Sequence, residues 1–255
     1  MTKLGAQLYT VRDFIKTPED FDATLRKVAD MGYRYVQISG IGESVPADFA
    51  GAKLREYGLK CRATHFGFER IRDNLDEMLA IHDAYDCPYI GTGSMPQSYR
   101  ESEETFRRFI EEAGEVAERI AKAGKTFIYH NHNFEFAKYG EKTGMDLLFE
   151  GTSKALQFEL DVYWVQAGGA DPMHWIRKVE GRMDVVHFKE MGVTKACEQI
   201  MVPVGQGNMN WPGIIAACNE TGVKYAFVEQ DKCAKDPFDC LRDSFNYLSG
   251  QEMEI

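Results

Sequence analysis

The stretch Phe127-Ile128-Tyr129-His130-Asn131-His132-Asn133-Phe134-Glu135-Phe136 begins as a strand and ends in titratable groups. Thr126 to Tyr129 is β-branched and aromatic with no breaker inside it, the pattern of a buried strand. Residues two apart on a strand share a face. The spacing therefore predicts that His130 and His132 enter one pocket, with the carboxylate of Glu135 close behind. A buried strand whose C-terminal end turns into histidines and a carboxylate reads as a metal or proton-transfer site.

Outward from this strand, here taken as Lys125 to His132, short apolar runs alternate with amphipathic ones. Strands are predicted at Lys3–Tyr9, Tyr33–Ser39, Leu59–Phe66 and Pro88–Gly91 before it, and at Leu156–Asp161, Met183–Lys189 and Lys224–Gln230 after it. Helices are predicted at Asp20–Met31, Pro46–Tyr57, Asn74–Tyr85, Ser102–Ala123, Met145–Glu150, Pro172–Val179, Trp211–Glu220 and Pro237–Leu248. Several stop at a glycine, as at Gly32, Gly58, Gly124, Gly181 and Gly222. Ser102-Glu103-Glu104-Thr105 supplies an N-terminal cap. Eight strands alternating with helical segments over 255 residues have the size and period of an α/β fold, the (β/α)8 TIM barrel, as one domain spanning 1–255. A doubly wound open sheet is the competing fold, but Gly40-Ile41-Gly42 lacks the glycine spacing such a sheet carries after an early strand.

Composition narrows the class. Hydrophobic residues make up 44% and charged residues 27%, as in soluble globular proteins. The net charge of −10 argues against a nucleic-acid backbone as main ligand, which requires a basic surface. The longest clean apolar run, Ile214–Cys218, is far short of the ~20 residues that cross a bilayer. The N-terminal residues show no signal-peptide core. Six cysteines without a CxxC pair read as mostly reduced, buried thiols, and the expected location is cytoplasmic. A homo-oligomer is compatible with the sequence, which does not decide it.

Active sites of (β/α)8 barrels lie at the C-terminal ends of the strands. Those ends carry His130, Asp161, His187 and Glu229 on four consecutive predicted strands. Imidazole and carboxylate together suit a divalent transition metal such as Mn, Zn or Co. A buried carboxylate demands a cation nearby, so a salt bridge is the structural alternative for Asp161 and Glu229. Glu159 shares a face with Asp161, Lys189 with His187, and Asp231 with Glu229. Strand three ends at His65 and strand two offers Gln37. Tyr9, Phe66, Tyr163, Trp164 and Trp211 are candidate pocket aromatics. His82 and His174, on predicted helices, read as packing or surface residues, and the acidic run around Glu101–Glu112 as a solvated helix face.

Leu160-Asp161-Val162-Tyr163-Trp164 with Ala167-Gly168-Gly169, His187-Phe188-Lys189-Glu190, Val204-Gly205-Gln206-Gly207-Asn208 before Trp211, and Val228-Glu229 together give a chain that resembles the sugar phosphate isomerase/epimerase family, the xylose-isomerase-like barrels. The resemblance implies a metal site built from a Glu, an Asp, a His and a Glu, and Asp161, His187 and Glu229 match the last three. At the first position this chain carries His130 instead of Glu. It also carries Trp164 where many members have His. The resemblance implies a sugar or keto-sugar substrate and proton abstraction next to a carbonyl through an enediolate, with isomerisation or epimerisation as outcome. A metal-dependent lyase or dehydratase, inosose-dehydratase-like or keto-glycoside-cleaving, would use the same enediolate. In this scheme Glu229 is the base on one face and His132 or His130 on the other. Lys189 neutralises enolate charge. His65, Gln37, Trp164 and Glu159 contact substrate. Gly205-Gln206-Gly207 lies where many barrels bind phosphate, yet it holds no Lys or Arg, which favours an unphosphorylated substrate.

Overall fold

The computed structural model describes residues 1–255. Eight parallel strands close into one barrel in chain order: β1 Lys3–Gln7, β2 Tyr35–Ser39, β3 Lys60–Phe66, β4 Tyr89–Thr92, β5 Thr126–His130, β6 Leu156–Asp161, β7 Val185–Phe188 and β8 Tyr225–Val228. Ten helices connect them: α1 Pro18–Asp30, α2 Ala47–Glu56, α3 Phe68–Asp73, α4 Leu75–Ala84, α5 Glu103–Lys122, α6 Gly144–Gly151, α7 Val162–Ala167, α8 Pro172–Lys178, α9 Trp211–Glu220 and α10 Pro237–Leu248. The expected (β/α)8 fold is therefore correct. No helix is long and apolar enough to cross a membrane, and all six cysteines are free.

Local chemistry explains the outer ring. Along α5, Phe106, Phe109, Ile110, Ala113, Val116, Ala117 and Ile120 recur at helical spacing and are buried. Its first turn is closed by the reciprocal Ser102–Thr105 capping box. These stripes and the outward strand faces form one large core between the strands and the helices.

The inside of the barrel is layered. Ala63, Tyr89, Ile128, Val185 and Phe227 plug its lower half, with Tyr35 and Tyr225 packed against them. Gly5 makes room for that plug: a Cβ there would sit 2.5 Å from the Phe227 ring and 2.9 Å from Tyr35 O. Above the plug the inward residues become polar: Gln37, Glu159, Asp161 and His187, all fully buried.

Several boundaries differ from those read off the sequence. The first strand ends at Gln7, whose side chain accepts from Tyr9 N and starts a 3-10 segment over Leu8–Phe14. The fifth ends at His130 rather than His132. Two helices, α3 and α7, and two small ribbons, Lys138–Tyr139 with Lys142–Thr143 and Glu190–Val193 with Gln199–Val202, have no counterpart in the sequence pattern. They are too short to establish a period. Glu112 is not a free surface charge; it takes Arg72 at 2.7 Å and Tyr99 Oη at 2.7 Å.

Glu190, just after β7, is 1% exposed, and its carboxylate accepts from Gly205 N at 3.0 Å, Met209 N at 3.1 Å and the indole of Trp211. The glycine loop is thus wrapped around a carboxylate, and its Gly205 amide is already committed. A Cβ at Gly207 would lie 2.6 Å from that side chain, which accounts for the glycine. Glu190→Ala leaves those donors without an acceptor, a loss of roughly 3 kcal/mol. Thermal unfolding should shift down by about 6–10 °C at that cost; an unchanged midpoint would show that the loop does not depend on Glu190.

Candidate active site

The buried polar layer opens at the C-terminal mouth of the barrel. Adjacent strands place Asp161 and His187 as direct partners in the β6–β7 register. Glu229 follows β8, and its backbone N–H bonds Phe188 O at 3.1 Å. His130 closes the set from β5. His130 Nε2 lies 3.3 Å from Asp161 Oδ2 and 4.0 Å from Glu229 Oε2. His187 Nδ1 lies 3.0 Å from Glu229 Oε2 and 3.9 Å from Asp161 Oδ2. Ligand atoms each ~2.1 Å from one ion can be no more than ~4.2 Å apart. All four separations meet that limit.

The outer nitrogens of both rings are tied down. His130 Nδ1 donates to Gly93 O at 3.0 Å, which turns the Nε2 lone pair toward Asp161. A lone pair facing a carboxylate is repulsive unless a cation lies between them. His187 Nε2 donates to Gln37 Oε1 at 2.7 Å and lies 3.2 Å from Glu159 Oε1, leaving Nδ1 for the centre. Metal-ligating histidines are held in this way, by an acceptor on the far nitrogen. Two imidazoles and two carboxylates so arranged fit a divalent transition cation.

Charge in the cluster is unbalanced. Lys189 Nζ is 2.8 Å from Asp161 Oδ2, 2.8 Å from Glu229 Oε2 and 2.9 Å from Asp231 Oδ2. Burial opposes its charge, but these carboxylates hold it well above the ordinary lysine value. Glu159 is a fourth acid. Burial also opposes the His187 imidazolium, and Glu159 and Glu229 outweigh it, pushing the ring up to about 10. Asp161 is held at about 2: burial disfavours its charge, and Lys189 and His130 overcome that. Burial and the neighbouring His187 push His130 down, so its ring is neutral.

The cluster forms the floor of an open cavity of about 560 Å³, with Tyr9, His65, Phe66, His132, Lys189 and Glu229 among its walls. His132 reaches it from the loop after β5, not from a strand face. The chain turns there because Asn131 points inward, where its Oδ1 accepts from Asp161 N at 3.0 Å. Glu135 is fully buried and accepts from His132 N at 2.9 Å and Tyr129 Oη at 2.6 Å. The His132 ring packs 5.0 Å from His130 and 5.2 Å from Trp164 between ring centres. Its Nδ1 is buried without a partner, and burial, aided by His130 and Lys189, pushes it down to about 3.

Of the residues expected to touch substrate, His65 does line the cavity, bonded through Nε2 to Glu159. Gln37 and Glu159 do not. They lie beneath His187 and His65, and what they touch is imidazole and each other, Gln37 Nε2 donating to Glu159 Oε2 at 3.2 Å. Trp164 stands behind His132 rather than on the wall, its indole nitrogen buried and unpartnered. His82 is a packing residue, bonded to Thr64 Oγ1 at 2.7 Å and Met78 O at 2.6 Å. Three participants escape the sequence pattern in whole or in part. Gly93 O is one that no side-chain pattern reveals. Asp231 shows only its face, and Glu135 shows its place near the pocket without its hold on the His132 loop.

A family model described as xylose isomerase-like TIM barrel matches residues 25–248. The chain belongs to this family. Over its whole length this xylose isomerase-like barrel is similar to a solved sugar phosphate isomerase/epimerase from Parabacteroides distasonis ATCC 8503, at 25% identity, 99% coverage of each chain and a TM-score of 0.83. It is similar in fold to the probable 3-DHS dehydratase of petrobactin synthesis from Bacillus anthracis, at 15% identity, 98% of this chain, 99% of that chain and a TM-score of 0.75. It is likewise similar in fold to an L-ribulose 3-epimerase, at 14% identity, 98% of this chain, 94% of that chain and a TM-score of 0.75. No curated protein matches the chain. The resemblance read from the sequence motifs is borne out at the level of the family.

A histidine held at about 10 is protonated at pH 7 and must lose that proton to ligate a cation. Titrating Mn²⁺ or Zn²⁺ into metal-free protein at pH 7 should therefore release about one proton per ion. Affinity should rise with pH until the ring is neutral. Calorimetry in buffers of different ionisation enthalpy measures this; heats independent of buffer would contradict it.

Proposed function

We propose that the protein is a divalent-metal-dependent isomerase or epimerase that acts on a sugar or keto-sugar by removing a proton next to a carbonyl. The observation that carries this reading is the convergence of His130, Asp161, His187 and Glu229 on one point, with both rings anchored from behind. A divalent cation such as Mn, Zn or Co held by these four supplies Lewis-acid stabilisation of negative charge on a substrate oxygen.

The remaining chemistry belongs to the chain's own side chains. Glu229 turns Oε2 toward His187 and Lys189, while Oε1 makes no bond in the protein. Its pKa is held well below the ordinary glutamate value: burial opposes the charge, and Lys189 and His187 overcome it. It is ionised and placed to take the proton. His130 has both nitrogens committed, so the opposing group is His132, which lines the cavity with a neutral ring. Lys189 neutralises charge that develops on the substrate, and His65 holds a hydroxyl. The substrate partner is a small molecule, with no nucleic acid.

One observation favours a second reading. The groups facing each other are a carboxylate and an imidazole, not two glutamates, so one side of the pocket is charged and the other neutral. Such a pocket suits elimination, in which Glu229 takes a proton and the protonated Lys189 gives one to the departing hydroxyl or alkoxide. A lyase or dehydratase working through the same enediolate is that alternative.

Metal-replete protein incubated with sugars and 3-keto sugars in deuterated water distinguishes them. Deuterium in recovered sugar supports the isomerase or epimerase reading, and an unsaturated or deglycosylated product the lyase. A chelator should abolish either, and full activity in metal-free protein would reject both. His132→Asn should lower exchange by about 10²–10⁴-fold with metal content unchanged. Asp161→Asn should lose the metal itself, as measured by elemental analysis.

A further inference from the structure

The catalytic cavity is not the only opening at this end of the barrel. A second cleft of about 630 Å³ shares Gly40, His65, Phe66 and Gly67 with it as a common wall. It runs between the connection from β2 to α2 and the helix α4. The two openings differ in character. The catalytic cavity is lined mainly by polar and charged groups, whereas half of the cleft's lining is apolar, Ile41, Val45, Ala47, Phe66, Ile81 and Tyr85, beside glycines and Glu43, His65 and Arg70. At the shared wall Gly67 carries no side chain, and a Cβ there would meet nothing within 4 Å. Space is therefore open beside the backbone at that point.

Tyr85 adds an independent observation. The residue is only 6% exposed, yet its phenolic oxygen has no hydrogen-bond partner in the protein. That oxygen is not sealed in the core but opens to the cleft, where it is available to an acceptor that enters. Above it the Arg70 guanidinium lies 5.2 Å from the centre of the Phe66 ring and bonds the Glu77 carboxylate, which makes a braced lip.

The volumes set the scale. Pockets that enclose a drug-sized ligand run from about 300 to 1,000 Å³. The catalytic cavity alone is large enough for a single sugar ring, and the cleft adds as much space again with half of its lining apolar. We propose that the two openings form one extended substrate site. The sugar ring sits over the cluster, and a ring-sized apolar substituent joined to it crosses at Gly67 and lies against Ile41, Val45 and Phe66. A hydrogen-bond acceptor on that substituent reaches Tyr85. The substrate is then a glycoside with an aromatic or similarly apolar aglycone, not a free monosaccharide. This rests on the sugar reading of the catalytic site.

The test is calorimetric binding of matched pairs of glycosides, 4-nitrophenyl against methyl, across several hexoses in their plain and 3-keto forms. At least one pair should show the aryl member bound tighter by on the order of 10- to 100-fold. Ala47→Trp, which fills the cleft from α2, should erase that ratio while methyl-glycoside binding persists. Ile81→Trp repeats the test from the opposite wall if the first variant does not fold. Tyr85→Phe should lower aryl affinity by about 3- to 10-fold. No pair with an aryl preference, or a preference that survives filling of the cleft, overturns the proposal. If the preference holds and collapses on filling but no sugar exchanges deuterium, the catalytic reading fails and the extended site stands. Deuterium exchange without an aryl preference leaves the catalytic reading standing and removes the extended site.

Discussion

Three fully buried or nearly buried carboxylates, Glu159, Asp161 and Glu229, dominate the upper half of this barrel. An ionised carboxylate removed from water is stable only beside positive charge. Lys189 answers part of that demand by bonding Asp161 and Glu229 directly. His187 answers more of it, which is why its ring holds its proton so firmly. The rest of the mouth follows from this constraint. Gln37 and Gly93 O fix ring tautomers, Asn131 fixes the Asp161 backbone, and Asp231 braces the lysine from outside.

The same constraint explains why a stable barrel tolerates such a site. The lower half is closed by an apolar plug, and the helix ring is packed against one continuous core. The polar layer is therefore supported from below and from the side, and its side chains have few alternative positions. Asp161 illustrates the coupling: Oδ1 caps α7 through Trp164 N at 3.1 Å, and Oδ2 faces the cluster. Substituting it would disturb both a helix start and the charge balance. His130 brings an imidazole rather than a further carboxylate to the cluster, so the four strand-end groups are two rings and two acids.

Much of this was legible in the sequence because barrel geometry converts strand ends into neighbours. Four polar residues on consecutive strands sufficed to place His130, Asp161, His187 and Glu229 together. What stayed hidden depends on backbone turns that leave no periodic trace. His132 has the spacing of a strand-face residue, yet it arrives from a loop that Asn131 and Glu135 shape. Gln37 and Glu159 have the positions of substrate contacts, but inward-facing strand residues one pleat lower are covered by the imidazoles above them. The glycine loop at Gly205-Gln206-Gly207 was open as a phosphate handle; its partner proved to be Glu190, invisible without the hairpin that brings them together. The second cleft had no sequence signal, since its walls come from α2, α4 and two connecting loops.

One cation shared by four side chains at the barrel mouth is the claim on which the catalytic chemistry stands. Anomalous diffraction at the metal edge, from crystals grown with Mn²⁺ or Zn²⁺, locates that cation directly. A single strong peak within coordination distance of His130 Nε2, Asp161 Oδ2, His187 Nδ1 and Glu229 Oε2 is the expected result. A peak elsewhere, or none at saturating metal with Lys189 still bridging the two carboxylates, would contradict it.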